Sequence, residues 1–411
     1  MKKKPTVIDL FAGVGGFGLG FKLAGYSVCC SLEIDHWAVD TLRANKTPNT
    51  VIIEDDIRNY QTVEQIRKAC GNCAPDVIIG GPPCQGFSVA GPAHKDPKDP
   101  RNSLFIDFAR WVSVLKPKFF VVENVKGILS RKSASKEKVV EIINKTFKEL
   151  DYSVEIWILN AAEYGVPQLR ERVFFVGNRL GKVINPPPKT HSLNSLLSTT
   201  NYIPKLANGL QPVVTVDQAI SDLAFLDAGN GKEIQIYQIE PEKDFQKWAR
   251  YNQKELYNHV AMKHTSSMVE RFKLIRAGHS IMEMPAEYRA KKRNGNGEIS
   301  EIPYHSNNRR LDPNSPSFTI PAHFYSSFVH PHQNRNLTAR EAARLQSFPD
   351  SCRFMGKRTV VSHKLLERYG RHEDNYLSQY NQIGNAVPPL LAKAIAEHLY
   401  TYLREGSKDK E

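Results

Sequence analysis

Short apolar runs recur through the first 180 residues with amphipathic stretches between them. Residues 7–11, 27–34, 51–54, 77–80, 119–123, 154–159 and 173–177 read as strands, and helical patterns fall in the gaps. This βαβ rhythm predicts an α/β fold, a mostly parallel sheet covered by helices on both faces. Ligands of such sheets bind beyond the carboxyl ends of the strands. Phe11, Glu33, Asp56, Cys84 and Glu123 all fall at or just after a predicted strand end.

The chain is 411 residues long, room for two domains or three small ones. Its hydrophobic fraction of 41% excludes disorder, collagen-like repeats and a mini-protein held by disulfides. No stretch approaches the roughly 20 apolar residues that span a bilayer. The opening run Thr6 to Phe11 is too short, and too soon interrupted by glycine, for a signal peptide. Six irregularly spaced cysteines suit a reducing cytoplasm, with Cys70 and Cys73 read as unligated thiols in a loop and Cys29, Cys30 and Cys352 as core or incidental. The histidines show no regular metal spacing either, so no metal is expected. A net charge of +13 suggests a polyanionic partner, but says nothing of fold or chemistry.

From about Asn185 the texture changes to a loop-rich, mixed region without βα alternation until about residue 335. It contains the basic segments Arg289-Ala290-Lys291-Lys292-Arg293 and Arg309-Arg310. A helix is then predicted over residues 338–347, with Thr338 and Glu341 as a capping box, and another from Pro389 to Arg404, followed by a frayed tail.

Three segments carry chemical signals. Gly13-x-Gly15-x-x-Gly18 follows the first strand, and Glu33 ends the next about 20 residues on, an arrangement in which backbone N–H groups approach an anion and an acid bonds a ribose diol. By itself the pattern is shared by NAD sites, S-adenosylmethionine (AdoMet) sites and plain tight turns. Gly80-Gly81-Pro82-Pro83-Cys84-Gln85-Gly86-Phe87-Ser88 is more specific, because two prolines present a cysteine rigidly at a strand end. A thiol that acts as a nucleophile needs such exposed placement. Glu123 follows a third apolar strand, where its carboxyl could serve as a general acid toward a ring nitrogen.

Together with Gln168-Leu169-Arg170-Glu171-Arg172, residues 335–350 and Gln382-Ile383-Gly384-Asn385-Ala386-Val387-Pro388-Pro389, these segments resemble, in order, those of the DNA cytosine-C5 methyltransferases. The resemblance spans Asp9 to Pro389 and leaves residues 181–320 almost entirely unmatched. It implies that Cys84 adds to carbon 6 of cytosine, that Glu123 engages ring nitrogen 3 and the exocyclic amine, that Arg172 binds the carbonyl oxygen at carbon 2, and that Arg170 helps to order the site. It also implies that Phe11, Gly13, Gly15, Gly16, Glu33, Ile34, Asp56, Ile57, Pro83, Leu104, Asn385 and Val387 contact AdoMet. Glu54-Asp55-Asp56 departs from the family, in which glycine often precedes the acid.

The target carbon lies inside the duplex stack, so the base must be flipped out. The segment from Gln85 through Ser88 to Ser103 resembles the mobile loop that closes over it. The resemblance implies a Rossmann-like AdoMet-dependent catalytic domain formed by residues 1–180 and 331–411 with a smaller, mixed target-recognition domain, residues 181–330, inserted between its two parts. Arg289, Lys291, Lys292, Arg293, Arg309 and Arg310 of that insert are candidate contacts to double-stranded DNA. A variable region with nothing ahead of the first motif resembles the stand-alone prokaryotic methylases, cytoplasmic monomers usually paired with a restriction endonuclease. Competing readings are a tRNA cytosine methyltransferase, whose residues after the Cys-Gln pair differ from Gly86-Phe87-Ser88, a catalytically silent DNA-binding regulator and an NAD-dependent dehydrogenase.

Overall fold

The computed structural model describes residues 4–83, 104–133, 136–194, 209–289, 307–359, 368, 370 and 376–408. Chain contacts divide the protein into two compact units, one of residues 1–164, 171–190 and 386–411, the other of residues 165–170 and 191–385.

The first unit is built on a seven-stranded sheet in which every run predicted as a strand takes part. The strands are β1 (Thr6–Leu10), β2 (Ser27–Glu33), β3 (Val51–Glu54), β4 (Val77–Gly80), β5 (Phe119–Asn124), β6 (Ser153–Asn160) and, after the two-residue β7 (Gln168–Leu169), β8 (Glu171–Asn178). Their order is β3-β2-β1-β4-β5-β8-β6. Neighbours from β3 to β5 pair in parallel, whereas β8 is antiparallel to both β5 and β6. Reversal of that one strand brings its start, at Glu171 and Arg172, to the edge where the parallel strands end.

Helices α1 (Gly16–Leu23), α2 (His36–Asn45), α3 (Val63–Ala69), α4 (Leu104–Leu115) and α5 (Val139–Lys148) connect the strands. In α4 the apolar spacing buries Leu104, Phe108, Trp111 and Val112, and in α5 Val139, Ile143 and Phe147. Phe147 stacks on Phe120 of β5 with ring centroids 3.8 Å apart. Each such ring taken fully out of water is worth about 1.5–3 kcal/mol. The terminal helix Pro389–Lys408 continues past the predicted end at Arg404. It lies so close to α1 that a methyl group on Gly20 would sit 2.3 Å from Cβ of Ala392. Tyr26 donates to the carbonyl of Ala396 from the same side, at 3.1 Å.

In the second unit an antiparallel pair of strands, Gly231–Ile236 and Glu255–Val260, is accompanied by short helices. Helix Ala339–Leu345 starts with the predicted capping box of Thr338 and Glu341. All seven of its residues are buried, arginines included. Arg344 pairs with Asp222 (2.9 Å) and Asp350 (2.7 Å), and Arg335 with Glu341 (2.7 Å). Arg340 donates to the carbonyl of Tyr257 at 2.9 Å. These bonds tie residues 335–350 to residues 222–257, so the compact unit extends to Asn385, beyond the boundary expected at 330.

One expectation about cysteine is corrected. Cys29 and Cys73 are joined as a disulfide, whereas Cys30, Cys70 and Cys352 are free and buried. The pairing residue sits at a register shift: Val7 faces Val28 and Ile8 faces Cys30, so Cys29 has no partner across β1. Among the described residues no helix is long and apolar enough to cross a membrane, and no group of three or more His, Cys, Asp or Glu could hold a metal ion.

Candidate active site

The carboxyl edge of the sheet gathers most of the motif residues of the first unit. β1 ends at Leu10, and Phe11 then adopts φ 58, a left-handed conformation that a bulky residue takes only under constraint. Gly13 (φ 54) and Gly15 (φ 81) continue the turn into α1. Among the described residues a methyl group on Gly13 would meet nothing within 4 Å, so the backbone at this position is open.

Glu33, at the end of β2, closes this turn. Its Oε2 accepts the N–H of Gly13 at 2.7 Å, and its Oε1 accepts those of Ile34 and Asp35, both at 2.9 Å. Burial raises its pKa, while the N–H groups of Asp35, Gly13 and Ile34 oppose the rise. Beside it Ile34 is 61% exposed, an apolar surface left uncovered at a strand end.

After β3, Asp56 caps a short 3-10 turn by accepting the N–H of Arg58 at 2.9 Å. Arg58 also grips the carboxylate through its guanidinium, with Nε 2.9 Å from Oδ2. This hydrogen bonding holds Asp56 below the usual carboxylate range against a smaller opposing effect of burial. Any further donor to Asp56 must therefore share the carboxylate with Arg58. Ile57, next to it, is buried.

Gly81, Pro82 and Pro83 leave β4 at the same edge, with Pro82 buried and Pro83 exposed. Cys84, Gln85 and Ser88 lie outside the described residues, as do Lys291, Lys292 and Arg293. Where the turn toward Cys84 begins, a methyl group on Gly81 would lie 3.4 Å from Oε2 of Glu123. Glu123 ends β5 opposite Phe174 of β8, and its Oε1 lies 3.0 Å from Nε of Arg172. Both side chains are mostly enclosed, at 13% and 15% exposure. An acid and a guanidinium thus stand side by side one strand away from the Gly81-Pro82-Pro83 segment that precedes Cys84 in the sequence, a set able to grip a polar ring edge. Leu104 at the start of α4 and Val387 are buried in this unit.

The remaining motif residues separate. Arg170 is 2% exposed and donates to the carbonyls of Ile320 (3.1 Å) and Gly384 (3.2 Å), while Gln168 donates to the side chain of Gln346 at 2.6 Å. Arg170 therefore braces the second unit. Asn385, exposed at the end of helix Gln379–Asn385, also belongs to the second unit.

Among the basic candidates, Arg310 is a correction. Its guanidinium donates to the carbonyls of Ile275 (2.7 Å), His330 (2.7 Å) and Gln333 (2.9 Å) and to the side chain of Asn334 (2.8 Å), and the residue is 7% exposed. With its donors committed inside the fold it is a structural residue, not a DNA contact. Its neighbour Arg309 lies instead over the ring of Phe318, which is 39% exposed, at 4.4 Å. Arg289 uses Nε on the carbonyl of Met284 at 3.1 Å.

The motif reading assigned no role to Asp9 or Gly81. The available signal was an acid inside an apolar strand, for Asp9, and a second glycine ahead of two prolines, for Gly81.

Comparison with known proteins supplies the family. The family model described as C-5 cytosine-specific DNA methylase matches residues 5–401. The Type II methyltransferase M.DdeI of Desulfomicrobium norvegicum is 44% identical over 402 residues, 97% of this chain and 89% of the relative. M1.HphI of Haemophilus parahaemolyticus, also a Type II methyltransferase, is 36% identical, covering 95% of this chain and 86% of its own. A solved E. coli prophage protein described as a DNA modification methyltransferase superposes with a TM-score of 0.68 at 28% identity, over 98% of this chain and all of its own. S. pombe Dnmt2 methyltransferase, at 17% identity and a TM-score of 0.54 over 98% of this chain and 99% of its own, shares the fold. The chain belongs to the C-5 cytosine-specific DNA methylase family and is a DNA (cytosine-5-)-methyltransferase.

Proposed function

We propose that this enzyme flips one cytosine out of a short specific duplex sequence, adds Cys84 to carbon 6 of the ring and, as a monomer paired with a restriction endonuclease, protects host DNA. The observation that carries the chemistry is the Glu123–Arg172 pair at 3.0 Å, with Glu123 against the turn that leads to Cys84.

The Cys84 thiolate forms the bond to carbon 6 while Glu123 delivers a proton to ring nitrogen 3, so no anion is left on the ring. Arg172 holds the carbonyl oxygen at carbon 2 and stabilises the charge that develops there. The adduct is an enamine, nucleophilic at carbon 5 as aromatic cytosine is not. Bound AdoMet supplies the electrophilic methyl group that carbon 5 takes. Loss of the carbon-5 proton to a base then expels Cys84 as thiolate, and ring nitrogen 3 returns its proton to Glu123, which restores the neutral aromatic ring.

The turn at Phe11, Gly13, Gly15 and Gly16 fits such a cofactor, because the space beside Gly13 is open among the described residues and Glu33 stands next to it. Glu33 would hold the ribose and Ile34, Ile57 and Leu104 the adenine faces, while Asp56 accepts the adenine amine alongside Arg58. Pro83, Asn385 and Val387 complete the set by resemblance. Residues 181–330 would read the target sequence, with Arg289 and Arg309 as candidate contacts beside Lys291, Lys292 and Arg293, and Gln85 and Ser88 would meet the flipped base.

Bisulfite or single-molecule sequencing of plasmid DNA from expressing cells tests this reading. One short motif methylated at one cytosine is expected, and no signal from Cys84→Ala. Methylation at adenine, methylation confined to RNA, or a Cys84→Ala variant as active as the wild type would overturn it.

A further inference from the structure

Asp9 is a carboxylic acid within an apolar strand, and the chemistry above leaves it idle. It is 1% exposed, its Oδ2 accepts the N–H of Gly18 at 2.9 Å, and its Oδ1 is buried with no hydrogen-bond partner among the described residues. Buried polar atoms nearly always have partners, so an orphan oxygen beneath the glycine turn calls for a reason.

Helix α1 supplies one. The first N–H groups of a helix have no partner within it, and a Ser, Thr, Asp or Asn at the N-cap ordinarily accepts from the second or third residue. Here the N-cap is Gly15, which has no side chain to offer, and its φ of 81 and the 2.8 Å that an added methyl group would leave to Leu42 favour glycine. Asp9 caps the third residue, Gly18, from the neighbouring strand instead. Gly18 has to be small for this, since a methyl group there would lie 2.8 Å from Oδ2. The turn is thus held at three points: by the chain at Phe11, by Glu33 at Gly13 and by Asp9 at Gly18.

We propose that Asp9 is a positioning residue for AdoMet, holding the Gly13–Gly18 turn in its binding shape from beneath, so that cofactor affinity follows the state of this one carboxyl. The inference rests on the reading that this turn binds AdoMet. Burial pushes the Asp9 carboxyl up to about 8, opposed by the Gly18 N–H and reinforced by Glu33. Glu33 and Cys30, both on β2, are the titratable groups that act on it or feel it. β4 is Val-Ile-Ile-Gly, and the titratable residue of α1, Lys22, is exposed. As the neutral acid, Asp9 accepts from Gly18 without facing Glu33 as a second buried charge. Ionised, it does face one, and repulsion from Glu33 then acts on the turn even though the bond from Gly18 itself strengthens.

Isothermal titration of AdoMet into the full-length protein without DNA, from neutral pH to about pH 9, tests the proposal. Asp9→Ala should weaken binding roughly tenfold, the effect of a lost cap. Asp9→Asn should recover most of that loss, because its amide oxygen can still accept from Gly18. Wild-type affinity should fall above about pH 8 relative to Asp9→Asn. Equal affinity in a folded Asp9→Ala, or identical pH profiles for wild type and Asp9→Asn, would overturn the proposal. The profile comparison stands even where Asp9→Ala does not fold. A wild-type protein that binds no AdoMet at any pH would instead overturn the cofactor reading, and this inference with it.

Discussion

The two units contain the same kind of pair used in opposite ways. At the carboxyl edge of the sheet, Arg172 gives Nε to Glu123 and one Nη to the carbonyl of Glu171, and its remaining donors meet no protein partner among the described residues. In the second unit, Arg344 is completely buried, with Asp222 and Asp350 on its fork and the carbonyl of Ala219 as a further acceptor. Unused hydrogen-bonding capacity at the carboxyl edge of the sheet suits a site, whereas saturation inside a core suits a scaffold. Residue type and charge do not separate the two cases.

The sharpest way to break this comparison is to make a similar change in each pair. Glu123→Gln keeps the shape of the edge but removes the acid, so methylation measured with labelled AdoMet should drop about 10²–10⁴-fold while thermal unfolding stays close to wild type. A large loss of stability would show that this pair is scaffold too. Arg344→Met should do the reverse. It leaves Asp222 and Asp350 buried without their partner, a loss of about 3–5 kcal/mol in denaturant unfolding, with the activity of the surviving folded fraction little changed.

Acid provides a gentler contrast. Burial pushes the His330 imidazole down to about 3, with Glu341 opposing that shift, and also holds His259 below its ordinary value. Burial alone would raise Glu341 and Asp350, but Arg335 and Arg344 respectively keep them below the usual carboxylate range. Unfolded histidine takes up its proton near pH 6.5. Stability of the second unit that is present above that pH should therefore decline as pH falls from about 6.5 toward 3, and the carboxylates should add to the loss below about 4.5. Tryptophan fluorescence and backbone hydrogen exchange across this range would report it. Flat stability down to about pH 4 would show that the buried histidines do not govern this unit.

Much of the site was legible before any coordinates. Glu33 and Glu123 sit at strand ends because apolar runs mark the strands, and such patterns need only neighbouring residues. Arg172 was assigned by motif, but its nearness to Glu123 depends on β8 running against β5, which periodicity cannot reveal. Arg309 and Arg310 look equivalent in sequence, yet adjacent side chains on a short strand point to opposite faces, one over Phe318 and the other into the core. Cys29 and Cys73 gave no sign of pairing, since they lie 44 residues apart and a register shift brings one of them out of line.

The sequence by itself determined the alternating sheet, the order of the motifs and therefore the family, because these depend on periodicity and on short runs of fixed residue types. Only the tertiary structure decided which charges are available. Arg344 meets Asp222 across 122 residues of chain, Arg170 reaches Gly384 across 214, and the Asp9 oxygen left without a partner is recognised only when everything around it is in place. Availability is a matter of burial and of partners already taken, and both are set by contacts between segments far apart in the chain.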